Sequence, residues 1–449
     1  MSSKKLDIQS WRNLLAFQRD PIAFVQAQAK RNGKFSQFKI GPQQMFLLND
    51  PDYIKDVLVT RNQNFGRGRG IILLRRLMGN GILTSEGDFH LRQRRLVQPA
   101  FHRQRIAGYA AMMVEYAARV QERWHDGQTM ELAQEMMRLT LAVVGKTLFD
   151  AEMEGEATEI RDALDTMGRV FQSNPTPLQS LLAKLPFNRD DQRFDEAKAC
   201  LDAIIYRIID ERRSSHEDRG DLLSMLLAAQ DTEGDGKGMT NEQVRDEAMT
   251  LFLAGHDTTS NALSWTWYLL AQYPQAEAKL HAELDTVLQG RLPTFEDLPK
   301  LKYTEAVLTE SMRMYPPAWT VGRRVIKDYQ VDGHTIPANS FVLTSQYVMH
   351  HNPLYFPDPQ TFKPERWTAE FRATLPKFAY FPFGGGPRLC IGESFAWTEG
   401  ELLIATLAQK WQFRLLPGQK VEMKALVTLR PKNGIQMRLE QRKTNCRVN

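Results

Sequence analysis

The chain contains few cysteines. Cys200, Cys390 and Cys446 lie in unrelated contexts among 449 residues. A disulfide framework needs more cysteines, evenly paired, so we expect a reducing, cytoplasmic location. No apolar run approaches the roughly 18 to 20 residues that span a bilayer. Charged residues are scattered through the first twenty positions, which excludes an apolar signal-peptide core there. We therefore expect no membrane span.

Other missing features limit the function and the organisation of the chain. The net charge of +5 is too small to predict nucleic-acid binding, and no basic tract is interleaved with aromatic residues. Internal repeats, low-complexity tracts and linkers between folding units are also missing. The composition, 42% hydrophobic and 25% charged, is that of an ordinary globular protein. We expect a monomer with one domain over residues 1–449, large enough to enclose a cofactor.

Hydrophobic periodicity predicts a mainly α chain with small β-sheets. Residues 34–49 predict a hairpin that turns at Gly41-Pro42, inside a small β-rich part at about residues 30–60. We expect a helical core over about residues 88–315. Its longest helix begins after the N-cap Thr240 and meets no breaker before Pro274, so it is about 33 residues and about 50 Å long. A helix of this length crosses a whole domain.

The loop around Cys390 gives the clearest chemical signal. Residues 383–392 have the sequence FGGGPRLCIG, whose glycines and proline predict a tight loop with exposed backbone. The apolar segment that follows predicts a helix. Cys390 therefore lies just before a helix N-terminus, where backbone N–H groups and the helix dipole stabilise a thiolate. A lone cysteine is more often buried and inert, but inert packing would not require these glycines or the neighbouring Arg388.

This loop resembles the haem-binding signature of the cytochrome P450 family at Phe383, Gly386, Arg388, Cys390 and Gly392. The resemblance covers nearly the whole chain. It implies the fold of that family, in which a long central helix crosses a single domain over a buried haem. It also implies haem b (iron protoporphyrin IX) as the cofactor and the Cys390 thiolate as the ligand of its iron. A thiolate ligand favours cleavage of the O–O bond.

Glu310 and Arg313 are spaced i, i+3 and share a helix face. By spacing alone, the simpler interpretation is a surface ion pair worth less than about 1 kcal/mol. The segment, however, resembles the family's E-x-x-R helix, and the P-E-R-W run that contains Arg366 resembles its partner motif. The resemblance implies that Glu310, Arg313 and Arg366 form a buried triad that holds the cysteine loop. Such a buried network must be fully paired.

The long helix contains the unusual segment AGHDTT at residues 254–259. Glycine, aspartate and threonine are poor choices inside a helix. They predict a local kink that faces something, although a solvated helix face is an equally simple explanation. The segment resembles the family's oxygen-binding groove. The resemblance implies that Gly255 leaves room for O2 and that Thr258 holds a water near it. It also implies that Asp257 acts as a general acid that passes protons inward.

Haem has two propionates, which require buried cations. His90 and Arg94 are spaced i, i+4, and alone they could be ordinary surface or core residues. Their stretch resembles the family's propionate-binding helix, and Arg323 resembles a further propionate-binding arginine. The resemblance implies His90, Arg94, Arg323 and Arg388 as candidates. Arg324 is a possible substitute for Arg323.

Substrate binding would use the segments around the distal face of the haem, by analogy with the family. These are the loop that starts at Gly70, the region around residues 170–186, the long helix, and residues 318–321 and 426–428. The pocket residues we expect are Ile72, Leu73, Phe252, Ala254, Trp319, Val321 and Val427. An apolar pocket favours a lipophilic small molecule such as a fatty acid, a terpenoid or a carotenoid-like compound. The alternative is that these residues are only core.

No flavin or iron–sulfur segment appears after Cys390 in this sequence, so we expect electrons to come from a separate protein. We expect a ferredoxin or flavodoxin-type donor with its reductase. A basic docking face for such an acidic donor is one interpretation of a group of arginines, and an ordinary solvated face is the other. That group is Arg92, Arg95, Arg103 and Arg105.

The resemblance implies a haem-thiolate monooxygenase that inserts one oxygen atom from O2 into its substrate. One alternative is a peroxide-driven or isomerising haem-thiolate enzyme, which would need no proton relay such as Asp257-Thr258. Another is a non-catalytic haem sensor or carrier, which would need neither the relay nor the apolar distal segments.

Overall fold

The computed structural model describes residues 8–443 apart from 157, 161, 164–165, 167–188, 216 and 232–235. The substrate segment expected around residues 170–186 therefore lies outside the described residues. The described chain is mostly helical with small separate sheets, as predicted. Its helices include α1 (Ile8–Arg19), α2 (Pro21–Asn32), α3 (Pro51–Lys55), α4 (Arg69–Met78), α5 (Gly87–Val97), α6 (Arg103–Gln121), α7 (Leu132–Phe149), α8 (Arg189–Ser215), α9 (Leu222–Ala228), α10 (Asn241–Gln272), α11 (Pro274–Leu288), α12 (Lys302–Met314), α13 (Gln346–His350), α14 (Ala369–Thr374) and α15 (Glu393–Ala408).

The strands form sheets of two to five members. They are β1 (Phe35–Ile40), β2 (Gln43–Leu48), β3 (Phe65–Arg67), β4 (Thr129–Glu131), β5 (Val321–Val325), β6 (Tyr329–Val331), β7 (His334–Ile336), β8 (Phe341–Thr344), β9 (Trp411–Leu415), β10 (Met423–Ala425), β11 (Leu429–Pro431) and β12 (Gln436–Gln441). The largest sheet has the order β1-β2-β8-β5-β3, in which β2 and β8 run parallel. The smaller sheets are β4-β12-β9, β10-β11 and β6-β7.

The predicted hairpin at residues 34–49 is confirmed as β1 and β2. Phe35 pairs with Leu48 and Ile40 pairs with Gln43, and the chain turns at Gly41, whose φ of 56° favours glycine. The predicted β-rich part does not continue to residue 60, because helix α3 follows β2. Asp50 caps that helix and Pro51 is its first residue, a combination that favours a helix start.

The predicted long helix is α10, and it has 32 residues. The Thr240 hydroxyl accepts a hydrogen bond from the Gln243 N–H at 3.2 Å, and the Gln243 side chain accepts one from the Thr240 N–H at 3.0 Å. This reciprocal cap starts the helix, and Pro274 follows its end. The helix remains α-helical through residues 254–259. It is buried along most of its length, and Trp265 and Trp267 are each 1% exposed.

Two hydrophobic clusters meet at the loop that contains Cys390. The larger cluster packs α10 against α6, α7, α8 and α15 and includes Phe395. The smaller one lies against the five-stranded sheet and includes Phe381. Since Cys390 lies between these two phenylalanines, the loop is fixed at both ends. Within the described part of the chain, no helix is both long and apolar enough to cross a membrane.

The start of α10 also fixes the segment that leads from α4 to α5. Glu247 is fully buried and accepts hydrogen bonds from the Ile82 N–H and the Gln93 side-chain amide, both at 2.9 Å. The neighbouring Asp246 accepts one from the Asn80 N–H at 2.6 Å. Burial raises the pKa of Glu247 to about 7, although both hydrogen bonds oppose this shift. The carboxyl therefore positions this loop at a cost in stability once it ionises.

The raised pKa of Glu247 predicts a pH-dependent loss of stability. The unfolded chain ionises this group near pH 4.5 and the folded protein near pH 7. Stability should therefore fall as pH rises through this window, by up to about 3 kcal/mol. Glu247→Gln removes the titration. The difference between its thermal midpoint and that of the parent should therefore increase from pH 5 to pH 8. Glu242→Gln, exposed on the same helix, is the matched control. Equal differences for Glu247→Gln at both pH values would contradict this account.

Candidate active site

The loop before Cys390 has a geometry that requires its glycines. Gly384 and Gly386 have φ angles of 74° and 69°, which side chains rarely adopt. A Cβ at Gly386 would lie 2.0 Å from the carbonyl oxygen of Leu58. The Cys390 N–H donates to the Phe383 carbonyl at 3.1 Å and closes the loop. The Phe383 ring lies 5.7 Å from the ring of Trp397 on α15, so the loop is anchored to the helix that follows it.

Two observations describe the surroundings of the Cys390 sulfur. Its side chain is exposed, yet burial among protein atoms is the main cause that raises the pKa of the thiol to about 11. Both observations hold if the sulfur opens inward rather than onto the outer surface. A hydrogen bond from the Gly392 N–H and the charge of Arg94 lower this pKa, but they do not outweigh burial. A coordinated metal ion would supply the missing stabilisation, because a thiol that binds a metal is deprotonated.

The central helix borders an open space at the predicted oxygen groove. Ala254, Gly255, Asp257 and Thr258 are partly accessible, whereas residues 251–253 and 259–267 are buried. The Thr258 hydroxyl donates to the Ala254 carbonyl at 2.9 Å. This bond satisfies a polar side chain inside a helix. The accessible residues therefore form one short polar patch on an otherwise buried helix.

Gly255 has a packing reason for its missing side chain. A Cβ at this position would lie 3.0 Å from the Val144 side chain of α7. Close packing of the two helices is therefore one reason for a glycine here. The space for O2 that the resemblance implies is a second possible reason. Gly392 differs, since a Cβ there would meet only Phe101 at 3.7 Å, an ordinary contact distance.

Asp257 is bonded to the β10–β11 hairpin. Its carboxylate accepts a hydrogen bond from the Thr428 hydroxyl at 2.7 Å and one from the Arg430 guanidinium at 2.9 Å. The predicted proton donor is thus held by two partners that the sequence analysis missed. The spacing between residue 257 and residues 428–430 gives no sign of this contact.

Three arginines and one histidine lie together near Cys390. Three of them, His90, Arg323 and Arg388, are predicted propionate ligands. The fourth, Arg67, was missed. Arg67 stands directly opposite Arg323 in the antiparallel pair of β3 and β5. Only the strand register brings Arg67 to this position, although its place between two glycines was a local signal that its backbone lies close to a neighbour.

The electrostatics of this cluster are unfavourable in the protein alone. Burial, followed by the charge of Arg388, lowers the pKa of His90 to about 3 and that of Arg323 to about 10. Burial also lowers the pKa of Arg67 well below its ordinary value, with Arg388 and Arg323 adding to the shift. Glu86 is the one carboxylate that opposes the shifts of Arg67 and Arg388. The Nε atom of Arg67 is buried without a partner among the described residues.

These features fit a group with two carboxylates. Buried cations need counter-charges, and two propionates would supply them. Arg388 donates to the Ser85 carbonyl and Arg94 to the Leu389 carbonyl, each at 2.8 Å. Both arginines are therefore attached to the walls of the space beside Cys390. The thiol and the cations together suit haem better than a free metal ion.

Arg323 and Arg324 differ in their surroundings. Adjacent residues of a strand point to opposite faces of the sheet. Arg323 is buried, and its charge acts on Arg67. Arg324 is half-buried, and its guanidinium lies on the side of Gly66 and Glu86. The cation cluster therefore contains Arg323.

The predicted triad is brought together in the structure. Glu310 accepts from Arg313 at 2.8 and 2.9 Å and from Arg366 at 2.9 Å. Trp367 adds a fourth hydrogen bond to Glu310, at 2.9 Å. Arg313 also donates to the His350 carbonyl, and the His350 ring accepts from the Phe381 N–H at 3.0 Å. The network thus reaches the start of the cysteine loop.

The expected pocket residues have different environments. Phe252 is 1% exposed and packs against Phe149 and His256. Trp319 is 5% exposed and belongs to a core cluster with Leu429. These two contacts favour the core alternative over the pocket. The others are accessible: Ile72, Leu73 and Val427 are exposed, and Ala254 and Val321 are half-buried.

The expected docking arginines have local partners. Arg92 and Arg95 lie 3.5 and 3.0 Å from the buried carboxylate of Asp231. Arg105 donates to the Gly220 carbonyl at 3.2 Å, and the Arg103 guanidinium lies 5.7 Å from the Phe295 ring. Asp231 therefore partly neutralises two of the four charges.

The chain is similar to known proteins along almost its whole length. Residues 8–439 match the family model described as Cytochrome P450. Cyclooctatin synthase of Streptomyces melanosporofaciens is 39% identical over 417 residues, which are 92% of this chain and 90% of that protein. Cyclooctat-9-en-7-ol 5-monooxygenase of the same organism is 38% identical over 407 residues, covering 90% and 87%. A solved structure of a cyanobacterial protein with bound retinoic acid has a TM-score of 0.86 and 26% identity, covering 96% of each chain.

Arg67 should contribute to haem retention. Arg67→Gln removes a buried cation whose charge-assisted bonds are each worth about 1.5 to 3 kcal/mol. We expect haem transfer to apomyoglobin to become about tenfold faster or more. The thermal midpoint of the haem-free protein should not fall, because the lost charge lies beside Arg323 and Arg388. Arg69→Gln, exposed two residues later, should leave the transfer rate unaltered. Unaltered haem retention in Arg67→Gln would contradict the assignment.

Proposed function

The chain belongs to the cytochrome P450 family and is a monooxygenase, and on this premise we propose that it inserts one oxygen atom from O2 into a terpenoid. The observation that supports the site most directly is the inward-facing thiol of Cys390 beside a cluster of buried cations. Two relatives more than a third identical to the chain support the substrate class. The name of one of them states oxidation of cyclooctat-9-en-7-ol.

The family implies a haem cofactor, and we propose haem b. Cys390 would ligate its iron, and the propionates would be held by Arg67, His90, Arg323 and Arg388. Arg94 would keep the thiolate loop in place through its bond to the Leu389 carbonyl. The haem iron, when bound, supplies dioxygen activation, and the thiolate promotes cleavage of the O–O bond.

The chain's own contribution to that cleavage is controlled proton supply. We assign Thr258 to hold a water in the open space, since its hydroxyl already donates to the Ala254 carbonyl and can accept from water. Asp257 lies next to Thr258 in sequence, and its side chain is 15% exposed. It would accept a proton from the solvent side and pass one inward, as a general acid.

The substrate would lie against the accessible apolar residues. Ala254 lies on the open part of the central helix, and Ile72, Leu73 and Val427 are exposed on α4 and the β10–β11 hairpin. Apolar walls with few polar groups suit a rigid hydrocarbon skeleton. A panel of cyclic terpene alcohols and long-chain fatty acids, tested for spin-state shifts, would separate the two substrate classes.

Electrons would come from a ferredoxin or flavodoxin-type protein with its reductase. Within the arginine group, Arg103 and Arg105 have no carboxylate partner in the described contacts. They are therefore better candidates for docking than Arg92 and Arg95, which lie beside Asp231. We further propose a monomer and, because the three cysteines lie in unrelated contexts, a cytoplasmic location.

Replacement of Cys390 tests the central assignment. The reduced protein with bound carbon monoxide should show the far-shifted Soret band that reports thiolate ligation. Cys390→Ala should lose this band and all product formation with a reconstituted electron donor, because no other group described near the site is a thiol. Cys200→Ala on α8 is the matched control and should retain both. A far-shifted band that persists in Cys390→Ala would overturn the assignment.

A further inference from the structure

The β10–β11 hairpin ends in a short ordered tip. Met423 pairs with Pro431, and Ala425 pairs with Leu429. The Leu426 N–H donates to the Thr428 carbonyl at 3.0 Å and closes the connection. The tip therefore consists of Leu426, Val427 and Thr428, and Val427 is 58% exposed while Thr428 is 5% exposed. An apolar side chain that is open to contact thus directly precedes a buried hydroxyl.

The body of this hairpin is fixed to two neighbouring segments. The Leu429 N–H donates to the Pro317 carbonyl at 2.9 Å. The Leu429 carbonyl accepts from the indole N–H of Trp265 at 3.0 Å, and the Leu426 carbonyl accepts from that of Trp319 at 2.9 Å. Both indole side chains are buried. These bonds fix the hairpin at Leu426 and Leu429, on either side of Val427 and Thr428.

Two side-chain bonds of the hairpin go to Asp257 on the central helix. The Thr428 hydroxyl bonds one carboxylate oxygen and the Arg430 guanidinium bonds the other. Asp257 and Trp265 are eight residues apart, about two helical turns, so both face β11 from one side of the helix. The side chains of Asp257 and Arg430 are 15% and 25% exposed. The pair therefore lies at the boundary between solvent and the interior.

We propose that Thr428 and Arg430 are positioning residues for Asp257, and that the hairpin couples substrate contact at Leu426 and Val427 to proton supply by Asp257. This inference rests on the proposed function. With both oxygens bonded to the hairpin, the carboxylate cannot turn toward Thr258 until one bond breaks. The carboxylate then accepts one proton from solvent water and releases one inward, which restores its charge without any electron transfer. Substrate that contacts Val427 moves the adjacent Thr428, so an apolar molecule of the right size changes this bond.

The first test compares variants that differ only in the hydrogen bond. Thr428→Val removes the hydroxyl and keeps the shape, whereas Thr428→Ser keeps the hydroxyl. Arg430→Gln and Arg430→Lys form the second pair. The probe is cyclooctat-9-en-7-ol or retinoic acid, whichever gives the larger spin-state shift with the parent protein. We expect Thr428→Val and Arg430→Gln to lower the product formed per electron pair on the order of tenfold. Peroxide should be released instead, and the solvent isotope effect should be larger. Ser and Lys should restore most of the yield.

A second measurement does not depend on turnover. Hydrogen exchange in the haem-loaded protein should show that the probe slows exchange of the amides of residues 426–430. This slowing of exchange should be absent in Thr428→Val and present in Thr428→Ser. The dissociation constant from the spin-state titration should change less than threefold in either variant. A dissociation constant that rises as much as the yield falls would show that the hairpin only binds substrate, and this would overturn the proposal.

Double variants separate this inference from the proposed function. If Thr428 acts only through Asp257, Thr428→Val should add no further loss of yield and no further isotope effect to Asp257→Asn. Additive losses would overturn the coupling and leave the role of Asp257 intact. If Asp257→Asn alone retains the parent yield and isotope effect, the proton role in the proposed function fails, and the hairpin proposal fails with it.

Discussion

The burial of cations without matching carboxylates is the constraint on which the site depends. Arg67, Arg323 and Arg388 lie around the neutral His90 near Cys390, and burial is the main cause that lowers the pKa of all four, with the charges of neighbouring arginines adding to it. A fold that placed these charges together for its own stability would be hard to explain, since an unpaired buried charge costs several kcal/mol. A group with two carboxylates, such as the proposed haem, would make the arrangement favourable. The cofactor is therefore part of the electrostatic balance of this protein as well as its chemistry.

A second network of hydrogen bonds fixes the segment that leads into the cysteine loop. Glu310 is satisfied by Arg313, Arg366 and Trp367, and it is fully buried. Arg313 continues through His350 to the backbone of Phe381. The two networks differ in kind. Each arginine of the triad is bonded to the Glu310 carboxylate, whereas the described side-chain bonds of Arg67, Arg323 and Arg388 go to backbone carbonyls. The first supports the start of the cysteine loop through bonds within the protein.

The central helix links the thiol to the substrate side. Its middle turns leave Ala254, Asp257 and Thr258 partly accessible, and the residues on both sides of this segment are buried. The same turns contact the β10–β11 hairpin through Asp257. The proposed proton supply and the proposed substrate contact would therefore meet on one helix.

Much of the fold and of the site follows from local sequence. Gly41-Pro42, the Thr240 cap, Pro274 and the glycines of residues 383–392 each act within a few residues, so the hairpin, the long helix and the cysteine loop were predictable. Spacing along one helix also placed Glu310 beside Arg313. The end of the β-rich part was missed, because a good cap at Asp50 starts a helix where strand patterning continues.

The tertiary structure alone decided the contacts between distant segments. Arg67 joins the cations because β3 pairs with β5 in one particular register, and Asp257 meets Thr428 and Arg430 because the last hairpin folds back onto the central helix. It also placed Phe252 and Trp319 in the core, although both are apolar residues in segments that border the pocket. Composition and spacing specify which residues suit buried apolar or charged positions. Which neighbour each one meets depends on packing between elements far apart in the chain, and no local pattern encodes it.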